Sequence, residues 1–162
     1  MIDDFQHVSI TCRDLERSVH FYERLGLKVI KSISEVNEEG IAQAFQLPRG
    51  HLTVVHLAPP QATSKMFIDL VQWLEPPSTG EAYPALNHVG INRLAFRVSD
   101  LDATTAALRE QGITFLGQEP QSFGQGIRSI VTTTPMEYSF NFSTVCKSPD
   151  SRFTREGTTA SK

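Results

Sequence analysis

The chain has 162 residues, a formal net charge of −3 and an isoelectric point near 5.9, with 40% of its residues hydrophobic. This suits one ordinary domain or two very small ones with a packed core, and the acidic balance argues against a nucleic-acid partner, which selects a basic surface. No apolar run approaches the roughly 20 residues that span a bilayer, so no membrane partner is expected, and the acidic opening Met1-Ile2-Asp3-Asp4 does not read as a secretory leader.

The first strong signal is Phe5 to Thr11, where His7, Ser9 and Thr11 share one face and Val8 and Ile10 the other. That alternation predicts a half-buried strand. A helix follows, with Asp14 as N-cap, Gly26 as stop, and Leu15, Val19, Tyr22 and Leu25 at helical spacing. Strands are predicted over Lys28 to Ile33, Ile41 to Leu47, Leu52 to Leu57 and Lys65 to Trp73, with a Pro48-Arg49-Gly50 turn between the middle two. Residues 75–90 carry three prolines and two glycines and read as a linker or crossing loop. The two cysteines, Cys12 and Cys146, have no CxxC or zinc-type spacing, and are expected to be reduced thiols of a cytoplasmic protein.

The pattern then restarts. Arg93 to Leu101 aligns without a gap on His7 to Leu15, so that Asp100 falls on Asp14 and Gly112 on Gly26. A second helix is predicted over 100–111 with Leu101, Thr105 and Leu108 on its apolar face, followed by strands at Thr114 to Leu116, Gly126 to Thr133 and Glu137 to Val145. A repeat of this length is one supersecondary unit used twice. The domains are therefore a first βαβββ module over 1–74, a linker over 75–90, a second module over 91–146 and a flexible tail over 147–162. The expected fold is α+β, two tandem βαβββ modules forming a curled mixed sheet around a cavity. Val8, Ile10, Ile68, Leu70, Leu94 and Phe96 would form the helix-side core, and the cavity would be lined by His7, Ser9, Phe67, Asp69, Val71, Arg93, Ala95, Arg97 and Asn141.

The stretch His7-Val8-Ser9-Ile10, Asp14-Leu15, Ser18-Val19, Phe21-Tyr22 and Leu25-Gly26-Leu27 resembles the opening of the vicinal-oxygen-chelate superfamily. That group includes glyoxalase I, methylmalonyl-CoA epimerase, extradiol dioxygenases, fosfomycin-resistance enzymes and bleomycin-binding proteins. The resemblance covers about residues 5–145. It implies a fold more than a reaction, because this fold hosts many chemistries.

The resemblance also implies a metal ligand on the first and last strand of each module. Carried over, these positions are His7 and Arg93 on the first strands. Ile68-Asp69-Leu70 and Phe140-Asn141-Phe142 both look like the family's Ile-Glu-Leu. The set becomes His7, Asp69, Arg93 and Asn141. His7 and Asp69 suit a metal, but Arg93 has no usable lone pair and keeps its charge. At ~4 Å and an effective dielectric of ~20 its repulsion of a cation is about 4 kcal/mol per unit charge. No cofactor is expected, and if a divalent metal binds, His7 and Asp69 are its ligands. Arg93 would instead stand in the metal's place, balanced by Asp69, and hold a carboxylate, phenolate or enolate oxygen. Arg97 would add a second contact and His7 would act as general base. Ser9, Phe67 and Val71 complete the substrate-binding set. A purely structural Arg93–Asp69 pair is the plainer alternative. His51, His56 and His88 are expected to be structural or exposed.

Three functions follow. The first is a metal-independent lyase or isomerase acting on a small oxygenated or aromatic molecule through an enolate-like state. The second is a non-catalytic binding or resistance protein. The third is a metal-dependent glyoxalase-like lyase or dioxygenase. A small-molecule ligand is expected in each, and the resemblance implies a homodimer.

Overall fold

The computed structural model describes residues 1–80, 87, 89–91, 93–123, 127–132 and 141–147, the last seven and residues 123 and 127 by backbone alone. The elements are β1 (His7–Thr11), α1 (Leu15–Arg24), β2 (Lys28–Asn37), α2 (Glu39–Phe45), β3 (His51–Ala58), β4 (Phe67–Glu75), β5 (Arg93–Arg97), α3 (Leu101–Glu110), β6 (Gln121–Phe123), β7 (Ile127–Thr132) and β8 (Asn141–Lys147). They fall into two compact units, one around β1–β4 and one around β5–β8. Each unit has a four-stranded sheet, in the order β1-β4-β3-β2 and β5-β8-β7-β6. The first strand runs parallel to the last of its unit and the other pairings are antiparallel. The fold is α+β, a βαβββ unit used twice.

The repeated caps form as the sequence predicts. The Asp14 carboxylate accepts from the Arg17 amide at 2.9 Å, and Asp100 accepts from Ala103 at the same distance. Each satisfies one amide that the first helical turn leaves without a partner. Gly26 and Gly112 end the two helices with φ of 94° and 78°, a left-handed backbone that glycine adopts at little cost.

In the first unit α1 packs on β2, β3 and β4. Its inward stripe is Leu15, Ser18, Phe21 and Tyr22, with Val19 and Leu25 only half-buried. Under it lie Ile10, Val55, Leu57, Ile68 and Leu70, all buried. Val8 is half-buried. In the second unit α3 buries Leu101, Thr105 and Leu108 as expected, while Leu94 and Phe96 are half-buried. Cys12 is a free, buried thiol.

The predicted strand over Ile41 to Leu47 is instead α2. Ile41, Phe45 and Leu47 fall on one side of an extended chain, but Gln43 interrupts that alternation, and Ile41 and Phe45 are equally one helical turn apart. Helical contacts decide between them. Gln43 donates to Glu39 one turn back at 3.0 Å, Ala42 is buried, and Phe45 sits edge-on to Trp73 at 5.8 Å. α2 covers one end of the sheet face opposite α1, where Leu52, Val54 and Val71 pack with Ile33, Val36, Ile41 and Trp73. Ile33 and Val36 reach the same cluster because the β2–β3 register shifts between them, with Glu35 at φ 53°.

Other boundaries moved. β2 runs on to Asn37, well past the predicted end at Ile33. No strand forms over Thr114 to Leu116, where Phe115 makes only an isolated bridge to Thr132. β6 lies instead at Gln121–Phe123, three residues that carry no periodic signal. The predicted strand start at 137–140, residues 81–86 and 88 of the linker, His88 and the tail beyond 147 lie outside the described residues.

Candidate functional site

The face of the first sheet turned away from α1 divides into an apolar end under α2 and a polar end. Register builds the polar end. Ser9 stands opposite Asp69 on β4, Asp69 opposite His56 on β3, and His56 opposite Lys31 on β2. One row therefore crosses the whole sheet. Ser9 Oγ donates to Asp69 Oδ2 at 2.7 Å, and His56 Nε2 lies 3.3 Å from Asp69 Oδ1. The Oδ1 contact is electrostatic and not a well-aligned hydrogen bond, since Oδ1 has no hydrogen-bond partner of good geometry among the described residues. The side chains of His56 and Asp69 are only 18% and 14% exposed, so water screens their interaction weakly.

The adjacent row pairs His7 with Phe67. Phe67 lies between two imidazoles, 5.1 Å from the His7 ring centre and 4.4 Å from that of His56, inclined by 27° and 31°. Burial holds the His56 pKa below its ordinary 6.5. Asp69 opposes that shift, and Lys31 and His7 reinforce it. Here desolvation outweighs the carboxylate, and the imidazole is neutral at pH 7.

The expected site residues separate by unit. His7, Ser9, Phe67 and Asp69 come together on the polar face just described. Val71, expected as a lining residue, packs into the apolar cluster with Leu52 and Val54. Arg93 and Arg97 lie on β5 of the second unit, on one face and both exposed. Asn141 stands opposite Arg93 in the β5–β8 register, and its side chain lies outside the described residues. The two last-strand motifs are out of step. Arg93 falls on His7 in the repeat, so Asn141 is the counterpart of Phe67, and the counterpart of Asp69 is Ser143, opposite Ala95. Val131, opposite Ser143, takes the place of His56. Only the first unit carries the Ser–Asp–His row.

His56 is the site residue that sequence reasoning missed. No spacing in the chain links it to Asp69; the β3–β4 register does. The signal available was its position one strand back from Asp69, near the strand end that faces the 59–66 connection.

The donor set does not fit the four-ligand metal centre that the family implies. Arg93 has no lone pair to offer. Asp69 already spends Oδ2 on Ser9 and turns Oδ1 to His56, and His7 stands opposite Phe67 and not Asp69. Among the described residues no three His, Cys, Asp or Glu side chains are grouped to hold a metal ion, and no helix is long and apolar enough to cross a membrane.

A family model described as Glyoxalase/Bleomycin resistance protein/Dioxygenase superfamily matches residues 6–131. The chain belongs to that superfamily. Its fold is shared with a glyoxalase family protein from Bacillus cereus, at 20% identity and a TM-score of 0.76 over 90% of this chain and 96% of the other. TnmS3, an antibiotic binding protein from a Streptomyces species, is 23% identical with a TM-score of 0.59, over 89% and 97% of the two chains. The fosfomycin resistance protein FosX from Listeria monocytogenes is 18% identical with a TM-score of 0.57, over 90% and 95%. At these identities the likeness to each is one of fold. No curated protein matches the sequence.

Proposed function

We propose that this superfamily member binds a small oxygenated or aromatic organic molecule on the face carrying Ser9, Asp69 and His56, and acts on it by proton transfer, as a lyase or isomerase, without a metal. The observation that carries this reading is the engagement of Asp69. A carboxylate held by a serine hydroxyl and turned to an imidazole orients that imidazole, as carboxylates do beside general bases. A second imidazole, His7, lies across Phe67. Arg93 and Arg97 stand exposed on one face of the second unit, and guanidinium groups of that kind suit a carboxylate or phenolate. Residence in the cytoplasm, from the cysteine usage, and assembly as a homodimer, as the family resemblance implies, belong to the same reading.

Sequestration without turnover is the second reading. It is favoured by the aromatic surface of the same polar end, half-buried Phe67 with an imidazole on either side, which suits an uncharged ring system. It also matches what TnmS3 is named for, antibiotic binding. Product formation from a bound ligand separates the two.

The metal-free claim is tested by elemental analysis of protein purified without tag or chelator, together with a thermal-shift screen of aromatic acids, keto acids and CoA esters. The expected result is no stoichiometric zinc, iron, manganese, nickel or cobalt, and a stabilising class whose effect survives EDTA. Stoichiometric metal, or stabilisation that EDTA abolishes, would overturn the reading.

A further inference from the structure

We infer that His56, and not His7, is the imidazole that reads the ligand, and that it reads a proton-bearing oxygen: a phenol, an enol or an alcohol. The inference deepens the reading above and rests on it. It begins with which ring nitrogen carries the proton. Nε2 lies 3.3 Å from Asp69 Oδ1. The two are not aligned for a hydrogen bond, but a lone pair on that edge would be repelled by the anionic oxygen and an N–H attracted, so the carboxylate favours the proton on Nε2. His56 is neutral at pH 7, so Nδ1 keeps its lone pair and can only accept. Among the described residues no group donates to it. A ligand meeting that nitrogen must bring its own hydrogen.

The ring around this nitrogen is held on two sides. Asp69 on β4 fixes the Nε2 edge, and Ser9 on β1 fixes Asp69 in turn. Phe67, also on β4, lies against the ring at 4.4 Å. Lys31 on β2 and His7 on β1 are the remaining charged or titratable groups that act on it. A side chain packed this way presents its acceptor in one orientation, and so can discriminate. His7 differs on each count. It is exposed, it stacks only on the other side of Phe67, and no carboxylate fixes its tautomer among the described residues. The repeat supplies an internal comparison, because Val131 takes the place of His56 in the second unit and Ser143 that of Asp69. The acceptor is thus a feature of one unit and not a requirement of the fold.

Two neutral probes differing only in that hydrogen test the inference: naphthol and its methyl ether, titrated calorimetrically into the full chain. Wild type should prefer naphthol by about tenfold, the effect of one hydrogen bond of ordinary net strength. His56→Phe should bind the two equally, and His7→Phe should keep the preference. A preference that survives in His56→Phe, or is lost in His7→Phe alone, overturns the inference. Because His56→Phe removes a neighbour of buried Asp69, NMR of the imidazole nitrogens in the wild-type protein gives a second readout. The bare nitrogen of His56 should be Nδ1 and should shift with naphthol and not with the ether; a bare Nε2, or equal shifts with both probes, counts against it. Wild type that binds neither probe sinks the proposed ligand class itself, an outcome distinct from binding both without discrimination, which sinks only the role of His56.

Discussion

Asp69 and His56 show how burial and charge compete at a single pair of residues. A carboxylate 3.3 Å away would ordinarily raise a histidine's pKa, yet the His56 pKa sits below 6.5 because the ring is largely withdrawn from water. The sign of the stability effect follows. In the unfolded chain the imidazole takes up its proton near 6.5, while in the folded chain it resists until lower pH. Below 6.5 the unfolded state therefore binds more protons, and stability falls as pH drops through that value towards the folded pKa. The urea midpoint of the wild type should accordingly decline as pH falls from about 7 through 6.5 and below, and His56→Gln should decline less over the same range. A variant as acid-sensitive as wild type would place the sensitivity elsewhere. Spacing along the chain does not mark this residue, because its meeting with Asp69 depends on strand register.

At the scale of elements, the strand–helix beginning of each unit was legible because its signals are local. An aspartate before an apolar stripe and a glycine after it are read within a few residues, and Asp14, Gly26, Asp100 and Gly112 act as their types suggest. α2 was misread because seven residues are too few to separate a period of two from one of 3.6; packing of Ala42 and Phe45 decided it. Gly50 is what lets α2 sit there. A Cβ on Gly50 would lie 2.6 Å from the Glu38 carbonyl oxygen, 2.8 Å from the Ala42 nitrogen and 2.9 Å from the Ile41 Cβ. Two of these are backbone atoms of the helix's first turn, which cannot swing aside as a side chain would. Gly50→Ala should therefore cost about 1–3 kcal/mol, as overpacking does. It should be visible as a lower urea midpoint at unchanged slope; a midpoint equal to wild type would mean that α2 shifts freely. The same paired-motif reasoning that located the last strands put Asn141 level with Asp69. The register puts it level with Phe67, since a strand's neighbours are set by its partner and not by its own three-residue motif.

Across the whole molecule, one supersecondary unit is used twice with the same strand order, and the two copies have diverged on one face. The first carries serine, aspartate and histidine in a row, and the second carries alanine, serine and valine at the matching register positions. Superfamily membership fixes the fold, while the proposed chemistry rests on that difference between copies. The central claim is that the polar row of the first unit, without a metal, is where an organic ligand is met. A crystal structure grown with naphthol and a divalent cation such as Zn²⁺ tests it most directly. The account predicts density for the ring with its hydroxyl at hydrogen-bonding distance from His56 Nδ1, and Asp69 still held by Ser9. A metal ion bound by His7 and Asp69, or naphthol bound with His56 untouched, would contradict it.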